Sequence, residues 1–342
     1  MVLEQIGYLC EDSALPLIMN HQGDIARFIC ESGRADLIDK YAVPIARGEC
    51  GAGIAYSEDA DAFSFRTLLR RDRKGYILSG HKTYVTGGQL SDVFLVYALD
   101  EAGDMLACLV QHDDPGVSVT PAFPMGMRTA GAASVTFEDV PLSVDRILEA
   151  TDGLTHAQRF LSSQRLWITC APLGRSQAVL EDCAAHLAST LRFDTPVAEL
   201  NNVEASLGRM YIAVESARAM LYHALGRVGA GYAEPIFDPV LSAAKCFAVE
   251  QVRSVVERAF GLQGATGSME PPTWAGICVI SRPRHRSGNP GHSGGESRGG
   301  CRGPACPTVQ DFTRRMMMHL VQSLYQQETR APHLIPSRAH GR

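Results

Sequence analysis

The 342-residue sequence predicts an α+β multidomain chain: a helical N-terminal domain, a central antiparallel β domain and a C-terminal helical bundle. Three observations predict it. Apolar residues recur at helical spacing over residues 1–47. They shift to short β runs, punctuated by Gly, Asp and Pro, from Gly51 onward. Helical spacing then returns from about residue 153 to about 268. The expected domains are 1–50, 51–150 and 151–270, followed by an atypical, disordered tail at 271–342.

Each element has a local basis. Ile18, Ile25, Phe28 and Ile29 line one helical face, and Ile38, Tyr41 and Ile45 follow after a break at Ser32-Gly33. Val2, Leu3 and Ile6 read as the middle of a pattern with no capping residues before them, so the helical domain is expected to be truncated. The β runs are Tyr76–Leu78, Val93–Tyr97, Leu106–Val110, Val117–Val119 and Val135–Phe137. They predict a compact antiparallel sheet or barrel. Helices are expected at 155–189, 198–229 and 237–263, separated by Asp194-Thr195-Pro196 and by the stretch from Gly229 to Pro235. Long helices with short connections fit an antiparallel bundle. Residues 271–311 are rich in Arg, Gly, Pro and Ser and lack apolar periodicity, with a short helix expected at 312–327.

Composition narrows the function classes. A net charge of -5 gives no reason to expect nucleic acid or an anionic membrane as partner. No apolar run is long enough to span a bilayer and no signal sequence follows Met1, so the expected compartment is the cytosol. The ten cysteines form no Cys-x-x-Cys pair. Cys10, Cys30, Cys50, Cys108, Cys170, Cys183 and Cys246 are expected to be buried small hydrophobes in a reducing compartment. Cys301 and Cys306 with His285 and His292 match no common zinc spacing, so no metal is expected.

One heptapeptide carries chemistry. Lys82-Thr83-Tyr84-Val85-Thr86-Gly87-Gly88 closes a β run, and residues two apart on a strand share a face. Tyr84 could cover a flat heteroaromatic ring while Thr86 donates to one of its nitrogens. A β-turn with a cross-strand tyrosine is the plainer reading of the same residues.

The wider context resembles the acyl-CoA dehydrogenase family from Val2 to Gly267. Val2-Leu3-Glu4-Gln5-Ile6-Gly7 resembles the start of a helix of that family, and Ser57-Glu58 stands where the family has Thr-Glu. Gly80 to Gly88 resembles Gly-x-Lys-x-Trp-Ile-Thr-Asn-Gly. Gly126-Met127-Arg128-Thr129, Phe137-Glu138-Asp139-Val140-Pro141 and Ala171-Pro172-Leu173-Gly174 are similar to further family segments, in the family's order. The resemblance implies FAD held between the β domain and the bundle. Ser57, Tyr84 and Thr86 would contact the flavin. Phe193 and Asn201 would hold the adenine half, often across a subunit boundary, and Arg192 would reach a phosphate. Gly264 and Gly267 would form a phosphate turn, although a helix C-cap explains them equally. The implied activity is α,β-dehydrogenation of an acyl thioester of coenzyme A or acyl carrier protein. An electron acceptor and a homodimer or homotetramer are implied with it.

Such chemistry needs a base for the weakly acidic α-carbon. One family arrangement places Glu before an Arg on the first bundle helix, where this chain has Gln164-Arg165. The other uses a C-terminal Glu-Gly-Thr-x-Glu-Ile segment, which is absent here, so the catalytic residue is unknown at this stage. The family's Pro-x-Ala-Gly-Ser-Asp loop is shortened to Asp59-Ala60-Asp61. Codons for Arg286 to Gly294, read one base later, can encode Gly-Thr-Pro-Asp-Ile-Gln, so a frameshift after about Gly267 is one expectation. The alternative function is that of an inactive homologue or damaged gene product that keeps a partner-subunit or flavin-binding role.

Overall fold

A computed structural model of the protein describes residues 2–59, 65–124, 126–148, 153–231 and 238–264. Helices α1 (Val2–Leu9) and α2 (Ala14–Glu31) open the chain. After the break at Ser32-Gly33 come α3 (Ala35–Leu37), a π-turn (Ile38–Ala42) and α4 (Val43–Ala46). The strands are β1 (Ala52–Ala55), β2 (Leu68–Asp72), β3 (Gly75–Val85), β4 (Val93–Asp100), β5 (Met105–Gln111), β6 (Val117–Pro121), β7 (Ala133–Leu142) and β8 (Ile147–Leu148). Then α5 (Gly153–Ser189), the hairpin β9 (Leu191–Arg192) and β10 (Thr195–Pro196), α6 (Asn201–Gly229) and α7 (Pro239–Leu262) complete the described chain. No described helix is long and apolar enough to cross a membrane.

The sheet order is β6-β7-β3-β2-β4-β5-β8, with β1 also on β4. It is not wholly antiparallel, because β1 and β2 both pair with β4 in parallel. Neither β1 nor β2 was expected as a strand. The physical reason lies in β4. Val93 to Ala98 are all buried, and a strand covered on both faces reads as an unbroken apolar run that does not encode the direction of its neighbours.

Helix α2 is pinned between the sheet and α5. Its Ile25 and Ile29 enter one core cluster with Ala52, Val93, Leu95 and Tyr97 of the sheet. The Gln22 amide grips the β1 backbone, donating to the Ala52 carbonyl at 2.6 Å and accepting from the Ala52 N–H at 2.9 Å. Some 120° around the helix, Asn20, Asp24 and Phe28 meet α5 at Gln164, Ser163 and Phe160.

Helices α5, α6 and α7 share a second core built on Leu173, Met210, Val214, Leu221, Leu241 and Val255. The observed bounds fall within three residues of the expected ones. Helix α1 lies so close to α5 that a Cβ on Gly174 would meet the Glu4 carbonyl oxygen at 1.8 Å. The same applies to Gly7, where a Cβ would sit 2.0 Å from the Ala171 oxygen.

The cysteine expectation needs correction. Cys108, Cys170 and Cys183 are buried, but Cys30 and Cys246 are exposed. Both lie on the outer faces of amphipathic helices, where a lone small residue can sit in water without penalty. Gly267, the tail from 271 and the helix expected at 312–327 lie outside the described residues.

Candidate functional site

Two segments meet at one end of the sheet. Strand β1 runs out into Ser57 and Glu58, and β3 runs alongside them into Thr83 and Tyr84. The Thr83 N–H donates to the Ser57 carbonyl at 2.8 Å. Between them Lys82 Nζ, fully buried, donates to Glu58 Oε1 at 2.8 Å and to the Tyr56 carbonyl at 3.0 Å. Glu58 also accepts the backbone N–H groups of Arg66 and Thr67 at 2.6 and 3.2 Å. A buried charge must be paired to be tolerated, and this pair is. Burial works against both ions. Lys82 is lowered by it, with Glu58 resisting the shift. Burial also opposes the Glu58 anion, but Lys82, Thr67 and the Arg66 amide outweigh it and hold the carboxyl below its ordinary range.

The strand does not carry Tyr84 and Thr86 by simple alternation. The β3–β7 register shifts between Lys82 and Val85, and Tyr84 adopts a φ of +56°. Thr86 lies one residue beyond the end of β3, half-buried. A left-handed tyrosine is uncommon, and such strain concentrates at functional positions. Its effect here is to turn the ring outward, leaving Tyr84 63% exposed.

The turn after Thr86 is tightly built. Gly87 takes a φ of +73°, donates its N–H to Ala130 at 2.9 Å and accepts from Ser91 Oγ at 2.8 Å. A side chain on Gly88 would strike Ala133 Cβ at 2.8 Å. Helix α2 roofs the turn: Ile18 Cδ1 lies 3.3 Å from where a Gly87 Cβ would be. Thr129, in the neighbouring loop, donates to Asp12 Oδ2 at 2.6 Å and so ties that loop to the start of α2.

The α2–α5 contact carries a polar cluster of which the sequence flagged only Gln164. Gln164 Nε2 donates a short hydrogen bond to Asp24 Oδ2, and Gln164 Oε1 accepts from Asn20 Nδ2 at 3.0 Å. Arg27 reaches Asp24 Oδ1 at 3.1 Å, and Ser163 Oγ lies 3.3 Å from Oδ2. Asp24 is 6% exposed, and burial, the leading influence, pushes its carboxyl above the usual range despite Arg27. The His21 ring lies tilted beside Phe160, and burial lowers its pKa. Besides Gln164, the advance signal was an aspartate on the helix face shared with Leu17 and Phe28.

The remaining expected residues form a second group. Arg192 and Phe193 sit on the β9–β10 hairpin, whose tip residues Phe193 and Asp194 have φ of +50° and +59°. The Phe193 ring is fully exposed. The Arg192 guanidinium donates to the Leu191 carbonyl at 3.0 Å. Asn201 begins α6 and is exposed. Gly264 follows α7 with a φ of +56°, the geometry of a glycine just past a helix end. Thus Ser57 and Tyr84 lie on adjoining segments at one end of the sheet, Thr86 opens the turn two residues beyond Tyr84, and Arg192, Phe193 and Asn201 lie on or soon after the hairpin of the bundle.

Comparison with known proteins gives this architecture a family. Residues 54–140 match the family described as acyl-CoA dehydrogenase, middle domain, and residues 151–282 match acyl-CoA dehydrogenase, C-terminal domain. Together the matches take in more than half of the chain, which belongs to the acyl-CoA dehydrogenase family. A 3-(aryl)acrylate reductase of Clostridium sporogenes is 28% identical over 238 residues, covering 67% of this chain. The chain spans 62% of that relative's length. A cyclohex-1-ene-1-carbonyl-CoA dehydrogenase of Geobacter metallireducens is 26% identical over 281 residues, covering 79% of this chain and 73% of its own. Among solved structures, a glutaryl-CoA dehydrogenase of Mycobacterium smegmatis in complex with FADH2 superposes with a TM-score of 0.70 at 23% identity. That match covers 76% of this chain and 68% of the other.

Proposed function

We propose that the chain binds FAD and carries out α,β-dehydrogenation of an acyl thioester of coenzyme A or acyl carrier protein. The observation that supports this most is the pairing of Thr83 with the Ser57 carbonyl, which sets Ser57 beside Tyr84 and is followed by the Thr86–Gly88 turn under α2. An exposed aromatic face, a hydroxyl and a glycine turn with close backbone approach form a set that fits an isoalloxazine. When bound, the flavin supplies the two-electron acceptor.

Tyr84 would lie against the ring, Thr86 would donate to it and Ser57 would approach its pyrimidine side. Arg192, Phe193 and Asn201 would hold the adenosine diphosphate half. The fully exposed Phe193 supports a contribution to a second copy's cofactor in a homodimer or homotetramer. Gly264, and with it Gly267, would serve the phosphates only secondarily to the helix end. Buried thiols at Cys108, Cys170 and Cys183 suit a reducing compartment such as the cytosol. An electron acceptor must reoxidise the flavin after each turnover.

Absorbance is the test. Purified protein is expected to show a flavin band, and anaerobic addition of an acyl-CoA is expected to bleach it. Protein that stays colourless and takes up no added FAD overturns the reading.

A further inference from the structure

An apolar pair of similar volume would fill the space of a buried ion pair at equal or lower cost, so the Lys82–Glu58 pair needs a reason. Their side chains are 0% and 7% exposed, and their contacts fall on the residues that flank Ser57. The Lys82 ammonium donates to the Tyr56 carbonyl at 3.0 Å and to Glu58 Oε1 at 2.8 Å. The Thr83 N–H donates to the carbonyl between them, that of Ser57, at 2.8 Å. Ser57 is thus gripped on both sides and at its own carbonyl by two consecutive residues of β3. Glu58 adds a further tie. Its carboxylate accepts the N–H groups of Arg66 and Thr67, which fastens the Ser57 segment to the lead-in of β2.

The same contacts locate Tyr84. Along most of β3 the ladder to β7 sets the backbone, but the register shifts between Lys82 and Val85. Tyr84 lies inside that gap, left-handed and exposed, so neither ladder pairing nor core packing fixes its ring. The two residues before it, Lys82 and Thr83, are the ones tied to the Ser57 segment. Aromatic rings close in around the ammonium: Phe65 lies 4.6 Å from Nζ, and Tyr56 meets Phe65 edge-on at 5.0 Å. Ionic hydrogen bonds are directional, and they fix a spacing that apolar contacts would leave adjustable.

We infer that Lys82 and Glu58 are positioning residues for the flavin: their ion pair fixes the distance between Ser57 and Tyr84, and with it the place an isoalloxazine would take. This rests on the function proposed above. Neither residue needs to touch the ring, because the pair acts through the two segments it joins.

The test compares the full chain with Lys82→Met/Glu58→Gln, which removes both charges while the glutamine keeps an acceptor for the Arg66 and Thr67 amides. No buried charge is orphaned, so the apoprotein is expected to melt near the wild type and well above Lys82→Met. Its FAD dissociation constant, from titration of the apoprotein, is expected to rise at least about tenfold, the scale of one lost contact. The visible circular dichroism of the bound flavin reads the surroundings of the ring and not the stability of the protein, and its shape is expected to change. Glu58→Asp keeps both charges and draws the carboxylate back by one methylene. It is expected to fold and to weaken FAD by a smaller factor, and it carries the comparison if the double variant does not fold. Either variant, folded and keeping the wild-type affinity and dichroism, overturns the inference and spares FAD binding. Wild type that takes up no FAD overturns the function proposed above, and this inference with it.

Discussion

Lys82 Nζ lies 2.8 Å from Glu58 Oε1 in the interior of the sheet, and the two residues sit next to the segments that present Ser57 and Tyr84. The pair therefore sets the spacing of both segments as well as holding a buried charge. Lys82→Met would leave Glu58 buried and unpaired, and should cost about 3–5 kcal/mol. The loss is measurable as a lower midpoint in urea denaturation, and an unchanged midpoint would discount the pair.

The same pair sets an acid limit. Glu58 is held below its ordinary range, so its contribution is fully present above the unfolded carboxylate pKa of about 4.3. It is lost as pH falls through the folded value, leaving the Lys82 ammonium uncompensated. Thermal melts between pH 7 and 3 should fall steeply in the wild type. The fall should be shallower in Glu58→Gln, which starts less stable. Parallel curves for the two proteins would contradict this.

Tyr84 and Thr86 separate binding from stability. Tyr84 is exposed, so Tyr84→Ala should change the unfolding free energy by no more than about 0.5 kcal/mol. Each of Tyr84→Ala and Thr86→Val should weaken FAD about tenfold, the scale of one aromatic contact or one hydrogen bond. Titration of the apoprotein with FAD measures this, and wild-type affinity in both variants would remove these residues from the site.

Close packing of α1 on α5 depends on the hydrogens of two glycines, Gly174 and Gly7. A Cβ on Gly174 would overlap the Glu4 carbonyl, so Gly174→Ala must push α1 away and should destabilise by about 1–3 kcal/mol. The displacement should also loosen the Glu4 contacts to Arg218 and Tyr222, now at 2.8 and 2.6 Å. Faster hydrogen exchange across α1 is the expected signature.

Thiol reactivity should follow burial. Burial pushes Cys108 up to about 12 and Cys170 and Cys183 to about 11, whereas Cys30 and Cys246 face water. Brief alkylation at pH 8 followed by peptide mapping should label Cys30 and Cys246 first among the described cysteines. Early labelling of Cys108 would contradict the burial described here.

The sequence by itself determined the order of helical, β and helical segments, because side-chain periodicity is a local property that survives without coordinates. It also placed the bundle helices within three residues, since Pro196 and the stretch from Gly229 to Pro235 interrupt the backbone pattern locally. It marked Lys82 to Gly88 as unusual through its mixture of aromatic, hydroxyl and glycine residues. Only the tertiary structure decided the parallel pairing of β1 and β2 with β4, because a strand buried on both faces does not record its neighbours' directions. The tertiary structure alone also decided the outward turn of Tyr84 through its positive φ, and the meeting of Asp24 with Gln164. Those two residues are 140 positions apart, and nothing in either segment encodes a contact that exists only once α2 is wedged between sheet and bundle.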